Sequence, residues 1–354
     1  RSRFLTERQI LAGLTHGNIA RLLDGGVTDE GTPYFVMDYV DGLPIDRYCD
    51  ERNLDVNARI RLFLGVLSAV SHAHARLIVH RDIKPSNIIV DERGNVRLLD
   101  FGVAKLLRPD GGMPGAGLTV ELGMALTPEY AAPEQLLGQP VTTATDVYSL
   151  GLMLYELLSG RSPRDADTID SFAALLDAAT QDPPKASTVA AHADRRGTSH
   201  NSLQKKLRGD LDNVLQKALS PDPDERYRTA NALAADLERY LAGDAVSAMP
   251  QTLGYRTQKF VGRHRGGVVT TVLTAIALIV SLVIATSQML EARKQRDVAI
   301  YQQQRVLASN EFLTLLLGEI GPEGDALSLG ELLDHGVTML ERSFGNDYRF
   351  LGRM

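Results

Sequence analysis

The stretch from Gly266 to Leu290 holds 25 residues without a single charge. Its centre, Val268 to Ala285, consists of Val, Leu, Ile and Ala with three threonines and one serine. A helix rises 1.5 Å per residue, so this run spans about 37 Å, more than the roughly 30 Å of hydrocarbon in a bilayer. Threonine and serine hydroxyls bond back to carbonyls one turn earlier, so the four hydroxyls do not oppose insertion. Buried core helices rarely run this long without a charge, and a signal peptide does not follow so much chain. The expectation is a single transmembrane helix over 266–290. It divides the chain into a large region, 1–243, a juxtamembrane linker, 244–265, with Pro250, Gly254 and Gly262, and a smaller region, 291–354, beyond the membrane. Arg256, Lys259, Arg263 and Arg265 flank one side and Arg293, Lys294 and Arg296 the other, too even a split to fix orientation by charge.

Around this helix the composition is that of a globular protein. With 44% hydrophobic and 23% charged residues, disordered, collagen-like and disulfide-scaffold classes are excluded. A net charge of −6 gives no basic field, so no nucleic-acid partner is expected. The single cysteine, Cys49, forms neither an intramolecular disulfide nor a Cys-rich zinc site. The chain opens on Arg1 rather than Met and stops at Met354 inside a helical pattern, as expected of a fragment of something longer at both ends.

Within 1–243, Phe4 to Leu14 and Ile60 to His74 have helical periodicity, and Tyr34-Phe35-Val36-Met37 after Gly31-Thr32-Pro33 has the look of a strand. Ile88–Val90 and Val96–Leu99, joined at Gly94-Asn95, form a hairpin pattern. Beyond Thr145 the signals are mostly helical. The fold class expected is α+β in two lobes, a strand-rich first and a helical second. After the membrane span, Leu290, Val298, Tyr301 and Val306 keep helical spacing up to breaks at Gly318 and Gly321-Pro322, and a second amphipathic stretch covers Leu327–Phe344.

The chemistry concentrates in His80-Arg81-Asp82-Ile83-Lys84-Pro85-Ser86-Asn87, with Asp100-Phe101-Gly102 beyond the hairpin and Ala132-Pro133-Glu134 further on. The hairpin brings Asp82, Asn87 and Asp100 toward one another as hard oxygen donors. Such a set suits Mg²⁺, which takes one or two carboxylates plus phosphate oxygens rather than an all-protein cage. Lys84 adds a point cation suited to a transferring phosphoryl group.

These motifs closely resemble eukaryotic-type (Hanks-type) serine/threonine protein kinases of the membrane-anchored kind found in bacteria. The resemblance implies a two-lobed kinase fold, ATP with Mg²⁺ or Mn²⁺ as cofactors, and protein substrates bearing Ser or Thr. It implies that Asp82 accepts the substrate hydroxyl proton, that Asn87 and Asp100 hold the metal ions, and that Lys84 stabilises the γ-phosphoryl; a lysine at this position matches the Ser/Thr class. Thr127 resembles the threonine bonded to the Asp–Lys pair, Glu134 the buried partner of a late arginine, here Arg226, and Asp146 the helix aspartate bracing the catalytic loop. In Tyr34–Val40, Met37 resembles the gatekeeper, while backbone groups of Asp38 and Val40 would meet the adenine edge and Ile89 would lie beneath the ring. Glu7 resembles the helix glutamate that pairs with the ATP-binding lysine. Arg81 before Asp82 implies activation by a phosphorylated segment, with Thr119 as the expected site.

One departure stands out. No Gly-x-Gly-x-x-Gly occurs and no lysine precedes Glu7, so the Gly-rich loop and the lysine strand are missing; the glycines at 111–117 lie in the activation segment. On its own this stretch is expected to bind ATP poorly. A catalytically silent pseudokinase scaffold and a small-molecule kinase are the competing readings. Intact Asp82, Lys84, Asn87 and Asp100 oppose the first, and Ala132-Pro133-Glu134 with Thr127 opposes the second. His72 and His74, two apart on a helix, point in different directions and share no metal. Because ATP is cytoplasmic, the kinase region is expected on the cytoplasmic side of the inner (plasma) membrane, with one pass through the lipid bilayer. Substrate identity, stimulus and homodimer formation stay open.

Overall fold

The computed structural model describes residues 13–29, 33–99, 128–164, 171–249 and 264–318, with isolated positions between 252 and 261 and between 330 and 338. The chain divides into two compact units, Arg1–His264 and Arg265–Met354.

In the first unit, β1 (Leu22–Val27) and β2 (Pro33–Met37) pair antiparallel, Leu22 opposite Met37 and Val27 opposite Pro33, with a register shift between Leu22 and Asp24. A separate three-stranded antiparallel sheet has the order β3 (Gly42–Pro44), β4 (Ile88–Asp91), β5 (Val96–Leu98). Ile88 faces Leu98 and Val90 faces Val96, all four buried, while Ile89 and Arg97 share the more open face. The expected hairpin over 88–99 is therefore present. Asn18 ties this sheet to the segment before β1: its carbonyl accepts Leu98 N–H at 2.8 Å and its amide donates to Val96 O at 2.9 Å.

The rest of the described unit is helical. Helix α1 (Ile45–Glu51) leads to α2 (Val56–His74), whose N-cap Asp55 accepts Ala58 N–H at 2.8 Å. Ile60, Phe63, Val66, Leu67 and Val70 recur every three or four residues and are fully buried. After α3 (Pro133–Leu136), α4 (Thr143–Ser159) runs through the middle of the lobe with nearly every side chain buried. A helix apolar all round is a core helix, and α2, α8 and α9 pack around it. It ends at Gly160, whose φ of +82° places it in the left-handed region; a Cβ there would come within 2.6 Å of Ala191 O. The remaining helices are α5 (Phe172–Thr180), α6 (Ala186–Val189), α7 (His200–Leu207), α8 (Asp210–Ala218) and α9 (Ala230–Ala242).

The second unit is dominated by one helix, α10 (Arg265–Gly318), 54 residues long. Among the described residues it is the one helix long and apolar enough to cross a membrane, and its apolar stretch is exposed. Thr270, Thr271 and Thr274 donate their hydroxyls to Gly266 O, Gly267 O and Thr270 O at 2.8–2.9 Å, so each hydroxyl is satisfied within the helix. Of the expected helix over Phe4–Leu14 only Gly13 and Leu14 are described, neither of them helical, and most of Leu327–Phe344 falls outside the described residues.

Candidate active site

The His80–Asn87 loop links α2 to β4, and its shape is fixed by one buried carboxylate. Asp146, in the first turn of α4 and 1% exposed, accepts His80 N–H through Oδ2 and Arg81 N–H through Oδ1, both at 2.8 Å. His74 Nε2 reaches the same Oδ2 at 2.7 Å from the last turn of α2. Three donors on one buried carboxylate hold the loop against two helices. The loop's own geometry is unusual: Arg81 has φ +68°, left-handed backbone that a side chain normally disfavours. Its carbonyl accepts Gln135 Nε2–H at 3.0 Å from α3.

His80 is 1% exposed. Its Nε2 lies 3.0 Å from Leu99 O, which can only accept, and its Nδ1 faces Asp82 N–H at 3.4 Å. The pattern selects the tautomer with the proton on Nε2. His80 thus packs between the loop and the end of the β5 hairpin, with no ligand role.

Asp82, Lys84 and Asn87 form one hydrogen-bonded group. Lys84 Nζ lies 3.1 Å from Asp82 Oδ2, both side chains about a quarter exposed. Asn87 Nδ2 donates to Asp82 O at 2.9 Å and faces Asp82 Oδ2 at 3.4 Å. A 3₁₀ turn, Pro85–Asn87, sets this spacing, with Asn87 N–H on Lys84 O at 3.1 Å. With its Nδ2 used by Asp82, the Asn87 amide presents Oδ1 as its acceptor. Leu99 N–H bonds to Asn87 O at 2.8 Å, so the residue before Asp100 is fastened to the loop. Hard oxygens beside an ammonium suit a divalent cation carrying phosphate oxygens.

At the end of β2, Asp38 spends its N–H on Arg21 O at 2.9 Å, leaving its carbonyl as the backbone group able to meet a ligand edge. The Asp38 carboxylate accepts Arg21 N–H and Nε–H, each at 3.2 Å, and these bonds hold its carboxyl below the usual aspartate range. Met37, Val40 and Ile89 are half-buried. A cavity of about 400 Å³ lies beside this segment, lined by Arg21, Asp38, Tyr39, Val40, Asp91 and Arg97 among others. Asp38 and Val40, expected at the adenine edge, are among its walls, whereas Met37 and Ile89 are not.

Glu134 and Arg226 form a buried bidentate pair at 2.8 and 2.9 Å. Thr145 Oγ1 donates to Glu134 Oε1 at 2.7 Å, and the guanidinium also binds the carbonyls of Ser220, Ala144 and Pro221 while lying 4.7 Å from the Tyr148 ring centroid. This cluster fixes the start of α3.

Glu7, Asp100, Thr119 and Thr127 lie outside the described residues. Sequence reasoning missed the parts played by His74 and Gln135. A single histidine and a single glutamine carry no spacing signal, and their partners are 72 and 54 residues away.

A model of the protein kinase domain family matches residues 1–237. The chain is similar to the serine/threonine-protein kinase PksC of Streptomyces coelicolor, 32% identical over 251 residues, covering 68% of this chain and 41% of the relative. It is similar to the serine/threonine-protein kinase PrkC of Bacillus subtilis, 31% identical over 246 residues, covering 69% of this chain and 34% of the relative. A third relative is the serine/threonine-protein kinase PknB of Mycobacterium tuberculosis, 33% identical over 250 residues, covering 70% of this chain and 37% of the relative. The chain therefore spans between a third and two-fifths of the length of these curated relatives. With His80–Asn87 braced by Asp146 and with this match running over residues 1–237, the chain belongs to the protein kinase domain family.

Proposed function

We propose that the protein transfers the γ-phosphoryl group of ATP to Ser or Thr hydroxyls of proteins, from a kinase domain over 1–243 anchored by one transmembrane helix over 266–290. The observation that carries this reading is the Asp82–Lys84–Asn87 group suspended from Asp146. Asp82 would orient the acceptor hydroxyl and take its proton, while Lys84 holds a positive charge beside the oxygen that attacks and the phosphoryl that moves. Asn87 Oδ1 and the Asp100 carboxylate would hold Mg²⁺, or Mn²⁺ in its place. When bound, the metal ion neutralises phosphate charge.

Met37, the Asp38 carbonyl, Val40 N–H and Ile89 would line the adenine site, and Glu7 would orient a lysine on the phosphates. Thr127 would bond the Asp82–Lys84 pair on the substrate side, and a phosphate on Thr119 would pair with Arg81 and order the activation segment. Family membership and the names of the curated relatives support the serine/threonine reading over a scaffold or a small-molecule kinase.

ATP supply places the kinase domain in the cytoplasm, with 244–265 as the juxtamembrane linker, 291–354 on the far side of the membrane and the lipid bilayer as a standing partner. The exposed apolar stretch of α10 and its internally satisfied hydroxyls support the membrane span.

The test is phosphoryl transfer from radiolabelled ATP by the full-length protein to dephosphorylated casein, with and without Mg²⁺. Asp82→Asn is expected to lower kcat by on the order of 10²–10⁴, the usual worth of a positioned general base. Transfer by Asp82→Asn at the wild-type rate overturns the reading.

A further inference from the structure

The Arg81 peptide is held from both ends by side chains distant in sequence. Its N–H donates to Asp146 Oδ1 at 2.8 Å and its carbonyl accepts Gln135 Nε2–H at 3.0 Å. Between these two anchors the residue keeps its left-handed conformation, φ +68°. Backbone of this kind persists only where the surroundings over-determine it. Asp82 is the next residue, so the plane of the 81–82 peptide decides where its carboxylate points.

Gln135 is 8% exposed and uses both ends of its amide. Oε1 accepts Ala132 N–H at 3.0 Å, while Nε2 donates to Arg81 O. A flipped amide would face an N–H with an NH₂ and a carbonyl with an oxygen, so the two bonds together fix one orientation. One end of the side chain therefore belongs to the start of α3, which the Glu134–Arg226 pair holds in place, and the other belongs to the catalytic loop. The link is a neutral amide bonded to backbone on both sides. It needs no phosphate and no ion pair.

We infer that Gln135 is a positioning residue through which the segment leading into α3 governs the site: its amide keeps Arg81 left-handed and so keeps Asp82 aligned with Lys84 and Asn87. Any displacement of residues 131–135 pulls on the Arg81 carbonyl, which makes this amide a point of control over phosphoryl transfer. The inference rests on the phosphotransfer reading for its catalytic consequence, but the tether itself is a structural property.

The experiment uses the full-length protein in detergent micelles with Gln135→Glu and Gln135→Met. Glutamate keeps an acceptor for Ala132 N–H but at pH 8 has no proton for Arg81 O, and methionine has neither. In both variants, amide hydrogen exchange over residues 78–88 is expected to rise at least tenfold at pH 8. With ATP, Mg²⁺ and casein, kcat is expected to fall at least tenfold while KM for ATP stays within twofold. Lowering the pH to 5.5 protonates the introduced carboxyl, whose burial beside a carbonyl favours the neutral form, and restores a donor. The ratio of Gln135→Glu to wild-type kcat then rises severalfold, whereas the Gln135→Met ratio stays flat. Taking the ratio removes any pH effect that the three proteins share. Unchanged exchange over 78–88, or a Gln135→Glu ratio as flat as that of Gln135→Met, overturns the inference. A wild-type protein that transfers no phosphate sinks the kinase reading instead, and the exchange measurement still decides the tether.

Discussion

Arg226 grips Glu134 through two parallel bonds, Nη1 to Oε1 at 2.8 Å and Nη2 to Oε2 at 2.9 Å, with both residues at 4% exposure or less. The pair joins the start of α3 to the turn before α9, positions 92 apart in sequence. Because all of its polar atoms are taken up by protein partners, removing one member strands a buried charge.

Arg226→Ala or Glu134→Gln is therefore expected to destabilise the kinase lobe by about 3–5 kcal/mol, whereas replacing both with apolar residues of similar volume costs much less. Denaturant unfolding of the full chain in detergent, followed by aromatic fluorescence, measures this. Near-additive effects in the double-mutant cycle would show the pair to be uncoupled. The pH dependence has a definite sign. Burial alone pushes the Glu134 carboxyl up, but hydrogen bonds and charge from Arg226 outweigh it and hold the group below the usual glutamate range. A folded-state value below the unfolded one gives stability that is complete above the ordinary carboxylate range. That stability is lost as the pH falls through the folded value. Acid unfolding in wild type should carry this component below pH 4.5, and Glu134→Gln should lack it.

Asp146 offers a second test. Asp146→Ala removes the acceptor of the buried His80 N–H, at about 1–3 kcal/mol, and of the part-buried Arg81 N–H at less. The larger effect is expected on catalysis, because a misplacement of about 1 Å at reacting groups costs on the order of 10² in rate. Phosphoryl transfer should fall by that order while KM for ATP changes little. Retention of full kcat would show that the loop holds its shape without the brace.

How far these features were legible in the sequence follows from their range. The His80–Asn87 loop was legible because its motif fills eight contiguous residues, and the roles expected of Asp82, Lys84 and Asn87 came with the family resemblance that motif carries. The β4–β5 hairpin was legible because it too is contiguous in sequence. Helix α2 was recognised from Ile60 onward but starts at Val56, because Asn57 and Arg59 look like solvent-facing residues. Arg59 is in fact fully buried, its guanidinium bonded to the carbonyls of Leu54, Cys49, Leu157 and Arg195 and paired with Asp50 at 2.8 Å. A charged residue inside an apolar face is invisible to periodicity, since its partners come from four separate segments. Gln135 and His74 escaped notice on the same grounds. The Glu134–Arg226 and Asp146 assignments came from family resemblance, which encodes long-range contacts that residue spacing does not.

A third prediction concerns the end of the kinase lobe. Asp236 in α9 is fully buried and accepts Tyr227 Oη–H, Arg239 Nη1–H, Ser247 N–H and Oγ–H, and Ala248 N–H. It thereby fastens residues 246–249, with Val246 fully buried, onto the lobe. Burial would push its carboxyl up, but the bonds from Ser247, Tyr227 and Arg239 hold it below the usual aspartate range. Its contribution is thus intact above the ordinary aspartate range and disappears only in stronger acid. At pH 7, Asp236→Ala is expected to raise amide exchange over 244–249 by at least tenfold and to expose that segment to proteolysis. An unchanged cleavage pattern would assign the anchoring to Val246 packing alone.

The last prediction tests whether α10 spans a membrane. Ile279 lies near the middle of the uncharged run, so Ile279→Arg places a cation at mid-bilayer at a cost of about 2.5–3.5 kcal/mol on insertion scales. Val298→Arg, on the same helix α10 but beyond the run and already among charged neighbours, carries no such cost. Expressed at equal levels, the Ile279 variant should shift measurably from the carbonate-resistant membrane fraction to the soluble or aggregated fraction, and the Val298 variant should not. In right-side-out cells, protease added outside should cleave tags placed after residue 318 and spare tags in the kinase lobe, because nucleotide is available on the inner side alone. Equal extraction of the two variants would remove α10 from the bilayer, and the juxtamembrane reading of 244–265 would go with it.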